Sequence, residues 1–177
     1  MADSIALGPD GQINHALAVL RGEIREGELA DHVHFLPGID LHADPEMRIA
    51  GRYNLTEGRL FDLEVRPGGQ GSWCALHLSF PAPDLTGFGA LGFALRGASP
   101  EMQILRACIR SGVKCGFVDC FFDKHILMRP EESSHVDALP VQHRHNLPLQ
   151  APWREMILFL PAKAFDLSLI DLRVFLV

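Results

Sequence analysis

The chain has 177 residues, 47% of them hydrophobic and 21% charged, which argues against a largely disordered protein and suffices for one sizeable core. Its net charge is −6 and its Lys and Arg are scattered, so it lacks the basic stripe with which nucleic-acid binders displace counterions. Met1-Ala2-Asp3-Ser4-Ile5 carries neither a basic start nor an apolar run, and no stretch is long enough to span a bilayer. The expectation is a cytoplasmic protein with no nucleic-acid partner and no membrane.

In chain order, Ile13, Leu17 and Leu20 recur at helical spacing and predict one short helix over 12–25, or equally an extended arm. Residues 1–35 are assigned to this segment and 36–177 to a sandwich domain. From Met47 the period becomes strand-like: Met47–Tyr53 and Leu60–Val65 alternate, and Pro67-Gly68-Gly69-Gln70-Gly71 is a strong turn. Trp73–Phe80 follows as a strand, with Cys74, Leu76, Leu78 and Phe80 on one face and Trp73, Ala75, His77 and Ser79 on the other. Further strands are read at Ala90–Leu95, Met102–Arg110, Cys115–Asp123 and His125–Met128, then a long polar connection at Arg129–Ala151. Trp153–Leu160 and Leu169–Val177 close the chain and are its most apolar strands. Many short strands without intervening helices predict an all-β fold, an antiparallel β-sandwich with a short N-terminal helix or arm.

Ser111-Gly112 is read as a hairpin turn. That register sets Cys108 opposite Cys115 and Arg106 opposite Phe117. One face then carries Leu105, Ala107, Ile109, Gly116, Val118, Cys120 and Phe122, which is a core face. The other carries Met102, Ile104, Arg106, Cys108, Phe117, Asp119, Phe121 and Asp123, too apolar for a plain solvated surface and too polar for a core. The Cys108/Cys115 spacing permits a disulfide, but a reducing compartment favours free thiols. Arg106 and Asp119 read as a cross-strand ion pair or as sugar contacts.

The stretch Pro83-Asp84-Leu85-Thr86-Gly87-Phe88-Gly89-Ala90-Leu91-Gly92-Phe93-Ala94-Leu95-Arg96-Gly97 resembles the D-L-S-G-Y … L-x-F-x-L-R-G run of galactose-binding-like jelly rolls. That superfamily includes many carbohydrate-binding modules and the complex I intermediate-associated protein family. Trp153–Pro161 with Phe165 is similar to their W-x-x-V-x-I-P … F strand, and Leu169–Leu176 to their closing strand. The resemblance covers roughly residues 47–177. It implies a ligand face on one sheet, with aromatic rings to stack on pyranoses and polar side chains to meet hydroxyls. Trp73, His77, Arg106, Asp119, Phe121 and Asp123 are the expected carbohydrate-binding residues, Trp73 being either such a platform or a rim residue. Trp153 is read as structural. A structural calcium ion is common in these modules, and Asp40, Asp44, Glu46 and Asp171 are the candidate ligands.

No complete catalytic motif is present: there is no G-x-S-x-G, and Asp119 and Asp123 lie about 13 Å apart along one strand, too far for a glycosidase pair. His143-Arg144-His145 is the sharpest metal-like feature, read chiefly as two loop histidines because cupin-type glycines and a close carboxylate are missing. Asp31-His32-Val33-His34 is a second H-x-H that could converge with it. The first reading is therefore a non-catalytic carbohydrate-binding module, serving an intracellular sugar-processing or polysaccharide-assembly partner. The alternatives are a protein-interaction or homo-oligomer module using the same sheet face, and a metal-dependent enzyme using the H-x-H motifs.

Overall fold

Thirteen strands and one α-helix account for most of the described residues, as alternating apolar positions require. A computed structural model describes residues 8–177. It contains α1 (Pro9–Leu20), β1 (Arg25–Glu28), β2 (His32–Leu36), β3 (Ile39–Ala43), β4 (Ile49–Leu55), β5 (Phe61–Pro67) and β6 (Cys74–Phe80). Then come β7 (Ala90–Ala98), β8 (Gln103–Val113), β9 (Gly116–Phe121), β10 (Ile126–Met128), β11 (Ser133–Pro140), β12 (Arg154–Leu160) and β13 (Phe165–Leu176).

The strands form two antiparallel sheets, one of six in the order β1-β4-β5-β13-β7-β11 and one of seven. The second runs β10-β8-β12-β6-β3-β2, with β9 also paired to β8. Between them lies one core. Leu41, Leu76, Leu158 and Ile109 face inward from the seven-stranded sheet, and Phe61, Phe93, Leu95, Leu172 and Val174 from the other. Each buried Leu, Ile or Phe contributes about 1.5–3 kcal/mol.

The segment read from sequence as a short helix or an arm carries α1, β1 and most of β2, its first seven residues lying outside those described. Ile13, Leu17 and Leu20 of α1 are buried in the core. Asn14 ties the helix to β13, its amide donating to the Val174 carbonyl (2.7 Å) and its carbonyl accepting from the Val174 N–H (3.0 Å). β1 pairs with β4, and β2 with β3. Likewise the connection 129–151 contains a strand, β11, paired along its whole length with β7.

The hairpin register is corrected as well. β8 continues through Ser111 and Gly112, and the turn falls at Lys114-Cys115, so Arg110 faces Asp119 and Cys108 faces Phe121. Gly112 serves packing instead of a turn: a Cβ there would lie 2.5 Å from Nε1 of Trp153, whose indole occupies that space. Cys115 sits exposed in the turn, so it does not meet Cys108, and all four cysteines are free thiols. Each true partner lies six residues beyond the expected one. An even shift leaves every side chain on its assigned face.

Candidate functional site

The outward face of the seven-stranded sheet carries three transverse rows of side chains, fixed by register. The first is His32, His42, Ala75, Phe159 and Arg106; the second is His34, Asp40, His77, Ile157, Cys108 and Phe121. The third is Ser79, Glu155, Arg110 and Asp119. Ala75, Cys108 and Ile157 form a completely buried floor, although they point away from the main core. The cover is Phe121 and Phe159, stacked with centroids 5.9 Å apart and their planes 23° from parallel. Arg106 lies 4.3 Å above the Phe121 ring and Arg110 3.9 Å above that of Phe117. Such cation–π contacts hold the guanidiniums flat against the sheet.

Beside this apolar centre stand two half-buried polar pairs. Arg110 grips Asp119 with two parallel bonds, from Nε at 2.7 Å and from the terminal nitrogen at 2.8 Å. That hydrogen bonding raises the Arg110 pKa above its usual value. Glu155 accepts from His77 Nδ1 (3.1 Å) and from the Ser79 hydroxyl (3.0 Å). The bond from His77 is the main reason its carboxyl titrates below the usual range. Next to His77, the His42 ring packs edge-on at 4.6 Å, and His32 stacks on His42 at 4.3 Å. Burial, followed by the His77 and His32 imidazoles, holds the His42 pKa below its ordinary value.

Four of the six residues expected to contact a sugar, His77, Arg106, Asp119 and Phe121, lie on this one face. Asp119 pairs with Arg110 and not with Arg106, as the corrected register requires. Trp73 stands just before β6, 37% exposed, its backbone carbonyl accepting from Asp44. Asp123 lies beyond the end of β9 and pairs with Arg144. Sequence reading missed Arg110, Glu155, Phe159 and His42. The alternation Glu155, Ile157, Phe159 was the available signal for two of them, obscured by the apolar Ile157 in the middle.

Of the candidate metal ligands, Asp40 falls in a group of ligating side chains, and the others stand apart from that group. Asp171 is on the six-stranded sheet beside Arg21 (3.3 Å), and Asp44 caps the 3-10 turn Pro45–Met47 that contains Glu46. Asp44 also accepts from the Ser72 N–H and hydroxyl, and these bonds lower its pKa. His143 ends a 3-10 turn (Val141–His143) and His145 follows it. Among the described residues, the one group of three metal-ligating side chains is His32, Asp40 and His42.

An open depression of about 920 Å³ lies on the opposite sheet and is lined by Arg52, Glu64, Arg66 and Asp166 among others. Exposed ion pairs cross it, Arg52–Glu64 at 3.2 Å and Arg66–Asp166 at 2.7 Å. Tyr53 is its single aromatic residue, and that ring packs over Gly27 and edge-on against Phe35. Volume alone therefore does not mark the site. The stacked rings and half-buried polar pairs are on the seven-stranded sheet.

No family model matches the chain, and no curated protein matches it either. Solved structures do. The family 11 carbohydrate-binding module from Clostridium thermocellum, in complex with a β-1,3-1,4-mixed-linked tetrasaccharide, is 12% identical with a TM-score of 0.53. The match covers 85% of this chain and 95% of that one. The family 11 module of cellulosomal cellulase Lic26A-Cel5E from the same organism is 14% identical over 88% and 96% of the two chains, with a TM-score of 0.52. The N-terminal cellulose-binding domain of β-1,4-glucanase C from Cellulomonas fimi is 11% identical over 85% and 97%, with a TM-score of 0.53. At such identities the likeness concerns fold alone. The chain has the jelly-roll β-sandwich fold of carbohydrate-binding modules.

Proposed function

We propose that this protein is a non-catalytic carbohydrate-binding module whose glycan lies across the outward face of the seven-stranded sheet. The observation that carries the reading is the stacked Phe121/Phe159 pair over a buried floor, flanked by the Arg110–Asp119 and His77–Glu155 pairs. An apolar ring face suits the C–H surface of a pyranose, and fixed donors and acceptors beside it suit its hydroxyls. Because these two pairs are already held together, they lose little side-chain entropy on binding. Two of the similar structures come from modules described as binding mixed-linked or cellulosic glucans, and β-glucan oligosaccharides are accordingly the first probes.

Calorimetric titration with β-1,4- and mixed-linked gluco-oligosaccharides tests this. Saturable binding that weakens about 10- to 100-fold in Phe121→Ala, and by a similar factor in Glu155→Gln, is expected for central contacts. No response to any oligosaccharide would instead favour a protein-docking module, to which the exposed Met102, Ile104 and Leu127 would contribute.

A further inference from the structure

The β2–β3 hairpin concentrates four chemistry-bearing side chains in eleven residues, His32-Val33-His34-Phe35-Leu36-Pro37-Gly38-Ile39-Asp40-Leu41-His42. Pro37-Gly38 makes the reversal, with Gly38 at φ 83°, a left-handed conformation suited to glycine at the third position of a tight turn. The register then sets His32 opposite His42 and His34 opposite Asp40. Period-two alternation turns all four side chains to the outward face. One ligand-capable atom each from His32, Asp40 and His42 lies within 4.8 Å of the other two.

Two more distances bear on what this group can hold. Nε2 of His32 is 3.3 Å from Oδ1 of Asp40, close to the separation of about 3.3 Å between two ligands on one tetrahedral zinc ion. His34 Nδ1 donates to the same oxygen at 2.8 Å, the kind of supporting bond that fixes a metal-binding carboxylate. His32 is stacked on His42, and His42 is braced by the edge of His77, so the rings are held close together. The donors are two imidazoles and one carboxylate, a set that suits borderline divalent transition ions better than calcium.

We propose that His32, Asp40 and His42 form a binding site for one divalent transition-metal ion such as zinc, with His34 orienting Asp40. Small side-chain rotations bring His42 inward, and the remaining coordination positions face solvent. The site stands at the β2 edge of the sheet, so it does not depend on the glycan reading.

The test is calorimetric titration of zinc(II) into the full chain, without a histidine tag, in a non-coordinating buffer at neutral pH. Saturable uptake of one zinc per chain is expected, weakened at least about tenfold by Asp40→Asn or His32→Ala and about tenfold by His34→Ala. His32 is exposed, its side chain 59% accessible, so His32→Ala leaves the fold intact and remains informative if Asp40→Asn does not. The double variant His143→Ala/His145→Ala should bind zinc as the parent does. No saturable uptake, uptake unchanged by both Asp40→Asn and His32→Ala, or loss only in the His143/His145 variant would overturn the proposal.

Discussion

Arg154 is buried to 1% exposure with no carboxylate partner among the described residues, and replacing it with Met isolates what it does. Its guanidinium donates to the carbonyls of Ala82 (2.6 Å), Pro148 (2.6 Å) and Leu149 (3.0 Å) and to the Ser111 hydroxyl (2.7 Å). The residue thus fastens two loops and β8 to β12, immediately beside Glu155. In Arg154→Met the Leu149 carbonyl keeps its bond from the Leu85 N–H, but the Ala82 and Pro148 carbonyls and the Ser111 hydroxyl lose theirs. Each orphaned buried group costs about 1–3 kcal/mol. Against this stands the desolvation of a buried cation, which also lowers the Arg154 pKa to about 10. The net expected loss is about 3–5 kcal/mol, within the range for breaking a buried charged network. Urea unfolding at neutral pH measures it, the midpoint falling with the slope unchanged. Arg154→Lys, which keeps the charge but not the fork, should fall between the two. A loss below about 1 kcal/mol in Arg154→Met would refute the reasoning, because it would mean these groups find other partners.

Acid should destabilise the protein in two stages. His42 has a folded pKa below 6.5, so the unfolded state binds more protons just under that pH and stability falls as pH drops through the window beneath 6.5. Glu155 titrates below its ordinary 4.5 in the folded state, so its contribution is present above 4.5 and is lost as pH falls through the folded value. Melting temperatures measured against pH should decline from about 6.5 downward, and His42→Gln should remove the upper stage. An upper stage that survives in His42→Gln contradicts this assignment. For the thiols, burial pushes Cys74 and Cys108 to about 12 and also raises Cys120, while Cys115 is exposed in its turn. Alkylation of native protein followed by mass spectrometry should therefore label Cys115 alone, and labelling of Cys108 would show that the Phe121/Phe159 cover opens.

Strand alternation made the sandwich legible from Met47 onward, because inward positions such as Leu76, Leu78, Phe93 and Leu95 repeat with period two. Edge strands were harder. β1 (Arg25–Glu28) has no strongly apolar residue, and β11 begins Ser133-Ser134-His135, so composition alone describes both as loops. Their identity comes from pairing with β4 and β7, which no local pattern reveals. The β8–β9 hairpin shows the opposite case. Ser111-Gly112 is the better turn by chemistry, yet the Trp153 indole needs the bare Gly112 backbone and the turn moves to Lys114-Cys115. Side-chain faces survived that error; individual partners did not. For the same reason Asp119 could be placed on the outward face without knowing that Arg110 holds it. Of the histidine cluster, the sequence offered His32 and His34 as an H-x-H pair and Asp40 as a separate candidate ligand; His42 and their convergence went unread because the β2–β3 register depends on the Pro37-Gly38 turn.

The most direct test of glycan binding on the seven-stranded sheet is an NMR titration of the labelled protein with a gluco-oligosaccharide. Amide shifts confined to the β6, β8, β9 and β12 segments around His77, Cys108, Phe121 and Phe159 are the expected result. Shifts centred on Arg52, Glu64 and Asp166 would place the ligand in the groove of the other sheet and contradict it.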